Sequence, residues 1–371
     1  AIDVGGGGFG PTGWAIITNN TITANKGDGI NISAANESDI TTVSGNTITK
    51  NNGSGIAGGP LTATNNTINN NTGIGITLGR TGNITKNSIL TNAGGGVTIS
   101  GGGAGSKLRE NLVTQNGGST AISINNSNWA VNSNNIFSNN TTWALYYDGA
   151  NGTTLDATNN WWGTVTASQI EGKIFDFSDN VTKGVATYSP FLATPEVAAP
   201  VSSPTGLNAT PSATSIALTW AANPEGDIAG YKLYYDTKTG PPYQGTGAAQ
   251  GNSPINVGNV ASFTLSGLTT GTTYYLALTA LDTSANESWY SQAKQVTPLT
   301  VPSSLSRTTP DNNSKPTFTW NSVSGAASYE VKVDVANYTN AGNVITYTIL
   351  AALLDGSHVF YVRAVDGAGN T

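Results

Sequence analysis

Along the first half of the chain an asparagine is followed, two positions later, by an apolar residue. The pairs are Asn20/Ile22, Asn46/Ile48, Asn66/Ile68, Asn87/Ile89, Asn111/Val113, Asn135/Phe137 and Asn160/Trp162. Their asparagines are 26, 20, 21, 24, 24 and 25 residues apart. Between them a small residue leads into alternating apolar positions: Gly29-Ile30-Asn31-Ile32, Gly75-Ile76-Thr77-Leu78, Gly96-Val97-Thr98-Ile99, Ala121-Ile122-Ser123-Ile124 and Ala144-Leu145-Tyr146-Tyr147. Shorter apolar touches, Leu61-Thr62-Ala63 and Ile84-Thr85, complete some repeats. Period-2 patterns this short predict strands that cannot bury a face alone. Stacking them as coils of a right-handed parallel β-helix solves that problem and lines up Ile22, Ile48, Ile68, Ile89 and Val113 as one inward column. The repeated asparagine fits a tight corner, where a residue must tolerate the left-handed region, and its amide can bond to the next coil about 4.8 Å away. A leucine-rich repeat would need a helix in each unit, and a propeller blade a longer period.

Residues 1–192 resemble the right-handed parallel β-helix repeats of the pectin-lyase-like superfamily. The resemblance rests on Asn46-Thr47-Ile48-Thr49-Lys50-Asn51-Asn52-Gly53-Ser54-Gly55-Ile56 and its copies. It also rests on Asn159-Asn160-Trp161-Trp162-Gly163 followed by Tyr188-Ser189-Pro190-Phe191-Leu192, a segment that closes the solenoid in that family. Residues 169–177 are expected to form a short helix whose Ile170, Ile174 and Phe177 cover the last coil. At the other end Ala1-Ile2-Asp3-Val4 reads as the small-then-alternating motif, so the chain is expected to begin in mid-coil.

The pattern changes after a Pro/Ala-rich, semi-extended linker at residues 193–203. Strands 8–12 residues apart with turn signals between them predict a β-sandwich. Leu218-Thr219-Trp220 is its core strand, Gly230-Tyr231-Lys232-Leu233-Tyr234-Tyr235 alternates, and Phe263-Thr264-Leu265 leads to the run 271–280. Residues 204–298 resemble a fibronectin type III domain, with Trp220 in the core and Tyr274 at the tyrosine corner. A second copy is expected over 299–371. Phe318-Thr319-Trp320 matches Leu218-Thr219-Trp220, Tyr329-Glu330-Val331-Lys332-Val333 matches the alternating strand, and 354–364 match the corner strand. Nothing in this copy matches the final strand supplied by 292–297 in the first. The fold class is therefore all-β.

Composition narrows the function. Charged residues are 10% of the chain, against roughly 25% in an average soluble domain. Fifteen basic against 21 acidic residues leave a net charge of −6, without the basic stripe a nucleic-acid partner requires. The absence of cysteine removes disulfides and thiolate zinc sites, and a single histidine argues against a Ser-His-Asp triad. No apolar run reaches a membrane-spanning length. No charged-then-apolar signal segment opens the chain, which fits residue 1 being a mature terminus or a cut.

Superfamily resemblance implies lyases and hydrolases of polysaccharides, built on acidic and basic residues aligned on neighbouring coils. Here Asp28 aligns with Ser54, Ile74, Gly95, Thr120 and Trp143, and Asp148 with Ser33, Gly79, Ser100 and Asn125, so neither carboxylate gains an acid/base partner. Arg80, Lys86, Lys107 and Arg109 fall in turns. Glu37 and Asp39 are the only close acidic pair of the coils and read as solvated rather than as a calcium clip. His358 is expected in a core strand, in a structural role. No catalytic residue, metal or cofactor is assigned. Trp129, Trp143, Tyr146 and Tyr147 gather on the last coils, where exposed rings would stack on sugars. Sequons at Asn31, Asn36, Asn52, Asn83, Asn151 and Asn286 permit N-glycosylation. The reading is a non-catalytic extracellular or cell-surface protein, structural or adhesive, as a segment of a larger surface protein or a filament subunit. The alternative is a polysaccharide-binding or polysaccharide-degrading β-helix with accessory sandwiches. Expected partners are a further copy, met through the first coil or the last sandwich, and a polysaccharide.

Overall fold

The computed structural model describes residues 1–5, 14–33, 36–125, 128–137, 140, 142–310 and 312–371. It divides into two compact units, residues 1–202 with 224–227, and residues 203–223 with 228–371.

The first unit is a right-handed parallel β-solenoid, with three sheets of 8, 8 and 6 strands among the described residues. The first sheet runs from Ile2–Gly5 to Ile174–Phe175, the second from Ile16–Thr18 to Val185–Thr187, and the third from Thr21–Thr23 to Asn135–Ile136. Each contributes one inward column. Ile30, Ile56, Ile76, Val97, Ile122, Leu145 and Ile174 stack in the first. Ile17, Val43, Ala63, Ile84, Leu108 and Val131 stack in the second. Ile22, Ile48, Ile68, Ile89, Val113 and Ile136 stack in the third. These side chains are buried in one continuous core, each Ile, Leu or Val worth about 1.5–3 kcal/mol of burial. Alternation along each strand therefore becomes a stack of identical contacts between coils.

Two corners per coil are held by asparagine amides, buried from Asn46 onward. Asn20, Asn46, Asn66, Asn87, Asn111, Asn134 and Asn160 form the first ladder, in which each backbone N–H and side-chain amide donates to the next rung's Oδ1 at 2.9–3.1 Å. From Asn46 onward each Nδ2 also reaches back one coil to the carbonyl of an inward residue, as Asn66 does to Val43 and Asn87 to Ala63. The rung is Asn134, not Asn135. The inward residue of that coil is Ile136 rather than Phe137, so the two-residue spacing starts one position earlier. Asn135 instead points its amide at the backbone of Glu196, donating to its carbonyl and accepting from its N–H at 2.9 and 2.7 Å.

The asparagine is also not the residue that turns the corner. Positive φ belongs to the residue before each rung: Asn19, Gly45, Asn65, Lys86, Glu110, Ser133 and Asn159. A left-handed turn strands neighbouring carbonyls, and the amide behind it satisfies them. A second ladder, Asn25, Asn51, Asn71, Asn92, Asn116 and Asn140, closes the next corner in the same way at 2.7–3.4 Å. It explains the small residues that open the alternating motif. A Cβ on Gly75 would lie 2.7 Å from Ile89 Cγ2 and 2.9 Å from Asn92 Nδ2.

At the solenoid's end the helix is only Ala167–Glu171. Ile170 and Ile174 are buried as expected, but Phe177 is exposed, because the chain has already returned to the first sheet at Ile174–Phe175.

The second unit holds two antiparallel sandwiches. In the first, Thr205–Pro211, Ser215–Ala221 and Ser262–Ser266 face a sheet ordered Ile255–Gly258, Ile228–Asp236, Tyr274–Asp282 and Lys294–Val296. Trp220 is buried edge-on to Tyr231, and the Tyr274 hydroxyl accepts the backbone N–H of Thr269 at 3.1 Å. The second repeats this plan with Ser306–Arg307, Thr317–Thr319 and Thr346–Thr348 against Thr339–Gly342, Ser328–Val333 and Phe360–Val365. Trp320 lies 5.5 Å from Tyr329, and both Tyr231 and Tyr329 accept a backbone N–H through their hydroxyls, from Asn223 and Val323. Among the described residues no strand pairs with Phe360–Val365 on the side where Lys294–Val296 pairs in the first copy. The corner strand starts only at Phe360, which leaves His358 outside it and exposed rather than in the core. His358 Nδ1 lies 2.7 Å from Asp334 Oδ2, and its Nε2 2.9 Å from the Leu354 carbonyl.

Candidate functional site

The late coils carry an aromatic shelf. Tyr146 and Phe175 are partners in the first sheet, and their rings stack at 4.4 Å and 5°. Trp143 meets Phe175 edge-on at 5.4 Å. All three are half-buried. In register before Tyr146 stand Ser123, Thr98 and Thr77, so a run of hydroxyls ends on the shelf. Beside it Asp148 pairs with Lys183, whose ammonium is held charged first by that hydrogen bond and then by the nearby carboxylate charge. Phe175 belongs to no repeat, so the sequence pattern alone does not place it on this surface.

Trp129 and Tyr147 do not belong to this surface. Trp129 is 2% exposed, with its indole N–H on the Gly101 carbonyl at 2.9 Å. Tyr147 is fully buried and shares its hydroxyl hydrogen bond with Thr153 at 2.7 Å. Both side chains belong to the solenoid's buried core.

Comparison with known proteins fits this geometry. Residues 8–161 match the family described as right handed beta helix region, and residues 202–296 match the fibronectin type III domain. The chain carries a right-handed β-helix region followed by a fibronectin type III domain. No curated protein matches it. Three solved structures each align with 26% of the chain. One, described as a myokine structure, is 19% identical over 98% of its own length, with a TM-score of 0.22. An Fn3-like protein from Clostridium thermocellum is 28% identical over 90% of its length, with a TM-score of 0.21. A beta-1,2-glucanase from Parabacteroides distasonis is 26% identical over 13% of its length, with a TM-score of 0.22.

Within the β-helix region Arg80, Lys86 and Arg109 form ion pairs. Arg80 donates to Glu37 at 3.1 Å, and Thr81 N–H donates to the same carboxylate, whose pKa is held down first by the Thr81 interaction. Asp39 turns away and is buried, accepting from Asn36 at 3.0 Å and from Ser38, so the two neighbouring acids do not converge. Arg109 and Lys86 both pair with Glu110, while Lys107 stands exposed between Asn83 and Ala130. Asp28 accepts the Ser54 N–H at 2.6 Å. Among the described residues no group of three or more His, Cys, Asp or Glu could hold a metal, and no helix is long and apolar enough to cross a membrane.

The sequons differ in availability. Asn52 and Asn83 are exposed, and Asn31 is half-buried within a strand of the first sheet. Asn36, Asn151 and Asn286 are exposed but use Nδ2 in hydrogen bonds to Asp39, the Val181 carbonyl and Asp282.

Proposed function

We propose that this chain is a non-catalytic extracellular or cell-surface protein that acts as a structural or adhesive element. The observation that carries the reading is the pair of buried amide ladders. They join neighbouring coils from Asn20 to Asn160 through hydrogen bonds that neither titrate nor depend on a cofactor. Such a scaffold suits a setting of variable pH and salt. The absence of methionine also removes one oxidation lesion. The test is brief protease treatment of intact source cells, followed by detection of the chain. Loss of the signal while a cytoplasmic marker survives is expected. Protection equal to the marker's overturns the reading.

A second reading is favoured by the shelf of Trp143, Tyr146 and Phe175. Here the β-helix region contacts polysaccharide, with rings stacking on sugar faces beside the Thr77, Thr98 and Ser123 hydroxyls. Sedimentation with insoluble polysaccharides tests it. Retention of the full chain that is lost in Tyr146→Ala supports sugar contact, and release of new reducing ends would make the protein an enzyme.

A further inference from the structure

The two sandwiches differ at one inward position, and the difference opens a pocket. Sheet register makes Tyr231, Leu233 and Tyr235 equivalent to Tyr329, Val331 and Val333. In the first sandwich Tyr235 is fully buried, its hydroxyl donating to the Gly251 carbonyl at 2.7 Å and accepting the Ala248 N–H at 3.2 Å. Residues 237–254 close over that ring; a Cβ on Gly245 would lie 2.5 Å from Tyr235 Cδ2. In the second sandwich the matching residue is Val333, and residues 334–338 alone lead to the next strand. The ring and its cover are both missing.

What remains is a cavity of about 240 Å³ lined by Val331, Val333, Thr339, Ile349, Leu353 and Phe360. Phe360, the larger residue at the place of Leu276, does not occupy it, because its ring stacks on Phe318 at 4.1 Å and 2°. The space opens to solvent past Leu350, and its volume is enough for one aromatic ring. Asn337 stands at the same cavity, where a hydroxyl could find a partner, while the Lys332 ammonium lies over the Tyr338 and Tyr361 rings.

We propose that this cavity is a binding site for a single phenolic ring, seated where the first sandwich seats Tyr235. A small free phenol and a tyrosine side chain of a partner share that chemistry. The site belongs to the second sandwich and does not depend on the function proposed above.

The experiment is titration of the full 371-residue chain with p-cresol, followed by methyl NMR. A capped Gly-Gly-Tyr-Gly-Gly peptide serves as the second arm. Saturable shifts confined to Val331, Val333, Ile349 and Leu353 are expected. Val333→Tyr should weaken binding at least tenfold and raise the melting temperature. Displacement of p-cresol by the peptide assigns the site to a partner's tyrosine, and failure of displacement assigns it to free phenols. Should Val333→Tyr misfold, Leu350→Glu replaces it. Leu350 is 77% exposed at the mouth, and this change should weaken binding several-fold in an intact fold. Shifts that never saturate, or saturable binding unchanged in both variants, overturn the proposal.

Discussion

Asp366 Oδ2 accepts the backbone N–H of Thr297 at 2.9 Å, joining the last turn of the second sandwich to the last strand of the first. The same carboxylate organises its own turn by accepting Ala368 N–H, Asn370 N–H and Asn370 Nδ2 at 2.8–2.9 Å. Asn370 adds a bond to the Gln295 carbonyl at 3.1 Å. Asp282 builds the equivalent turn in the first copy with Ser284 and Asn286. Asp366→Ala should therefore destabilise the second sandwich by about 3 kcal/mol. It should also speed hydrogen exchange at the Thr297 amide. Asp282→Ala should cost a similar amount and speed Thr297 exchange less, because the Asp366 bond to that amide stays in place. Amide exchange read by NMR on both variants checks the contrast, and equal effects at Thr297 would show that the bond does not couple the sandwiches.

Asn87 sits in mid-ladder, fully buried. It donates to Ala63 O, Thr85 O and Asn111 Oδ1 and accepts twice from Asn66. Alanine there strands the buried Ala63 carbonyl and the Asn66 donors, so Asn87→Ala should cost about 3–5 kcal/mol. Asn135→Ala removes only two bonds to the backbone of Glu196 and should cost about 1–2 kcal/mol. Asn134→Ala should cost as much as Asn87→Ala, and urea unfolding of all three variants decides whether Asn134 or Asn135 is the rung.

Why the sequence was legible for one ladder and not the other follows from what each residue must do. Ile22, Ile48, Ile68, Ile89 and Val113 stand out because inward positions tolerate only apolar side chains. Asn134-Asn135-Ile136-Phe137 fits two registers equally well, and only the pairing of Ile136 with Val113 separates them. The corners themselves leave no mark. Lys50, Glu110 and Gln115 all adopt positive φ, a cost of roughly 1–2 kcal/mol that neighbouring bonds offset, so residue type is almost free there. A signal for the second ladder did exist. Asn25, Asn51, Asn71, Asn92 and Asn116 each follow a first-ladder asparagine by five residues. Tyr147 shares parity with Leu145 and could have been read as inward. Phe175 could not be tied to Tyr146 without the return of the chain after the helix.

The aromatic residues of the last coils should separate into two classes on mutation. Trp129→Ala empties a buried indole site and should cost about 3–5 kcal/mol. Tyr146→Ala and Trp143→Ala remove half-buried rings and should cost about 1 kcal/mol each, mainly the contacts with Phe175. If the shelf holds sugar, these two variants lose polysaccharide retention at least tenfold while their melting curves stay close to that of the parent. Retention that tracks melting temperature across all three variants would tie it to folding instead of to the shelf.

The His358 pair gives the second sandwich a pH dependence whose sign can be worked out. The Asp334 hydrogen bond, then the Leu354 carbonyl, raise the imidazole pKa above its ordinary 6.5. Folded protein therefore binds this proton more tightly than unfolded protein does. The resulting stabilisation is complete below about pH 6.5 and is lost as pH rises through the raised folded value. Asp334 works in the opposite sense. Its pKa is held below 3.8, first by the His358 hydrogen bond and then by the Val359 N–H, so its contribution is present above that value and disappears as pH falls through the lowered one. The pair thus favours the fold most at mildly acidic pH. Melting of the second sandwich should occur at a lower temperature near pH 8.5 than near pH 5.5, and Asp334→Asn should flatten the difference. The imidazole's own midpoint can be followed by its Hε1 resonance. A midpoint at or below 6.5, or an unchanged difference in Asp334→Asn, would show that another group sets the pH response.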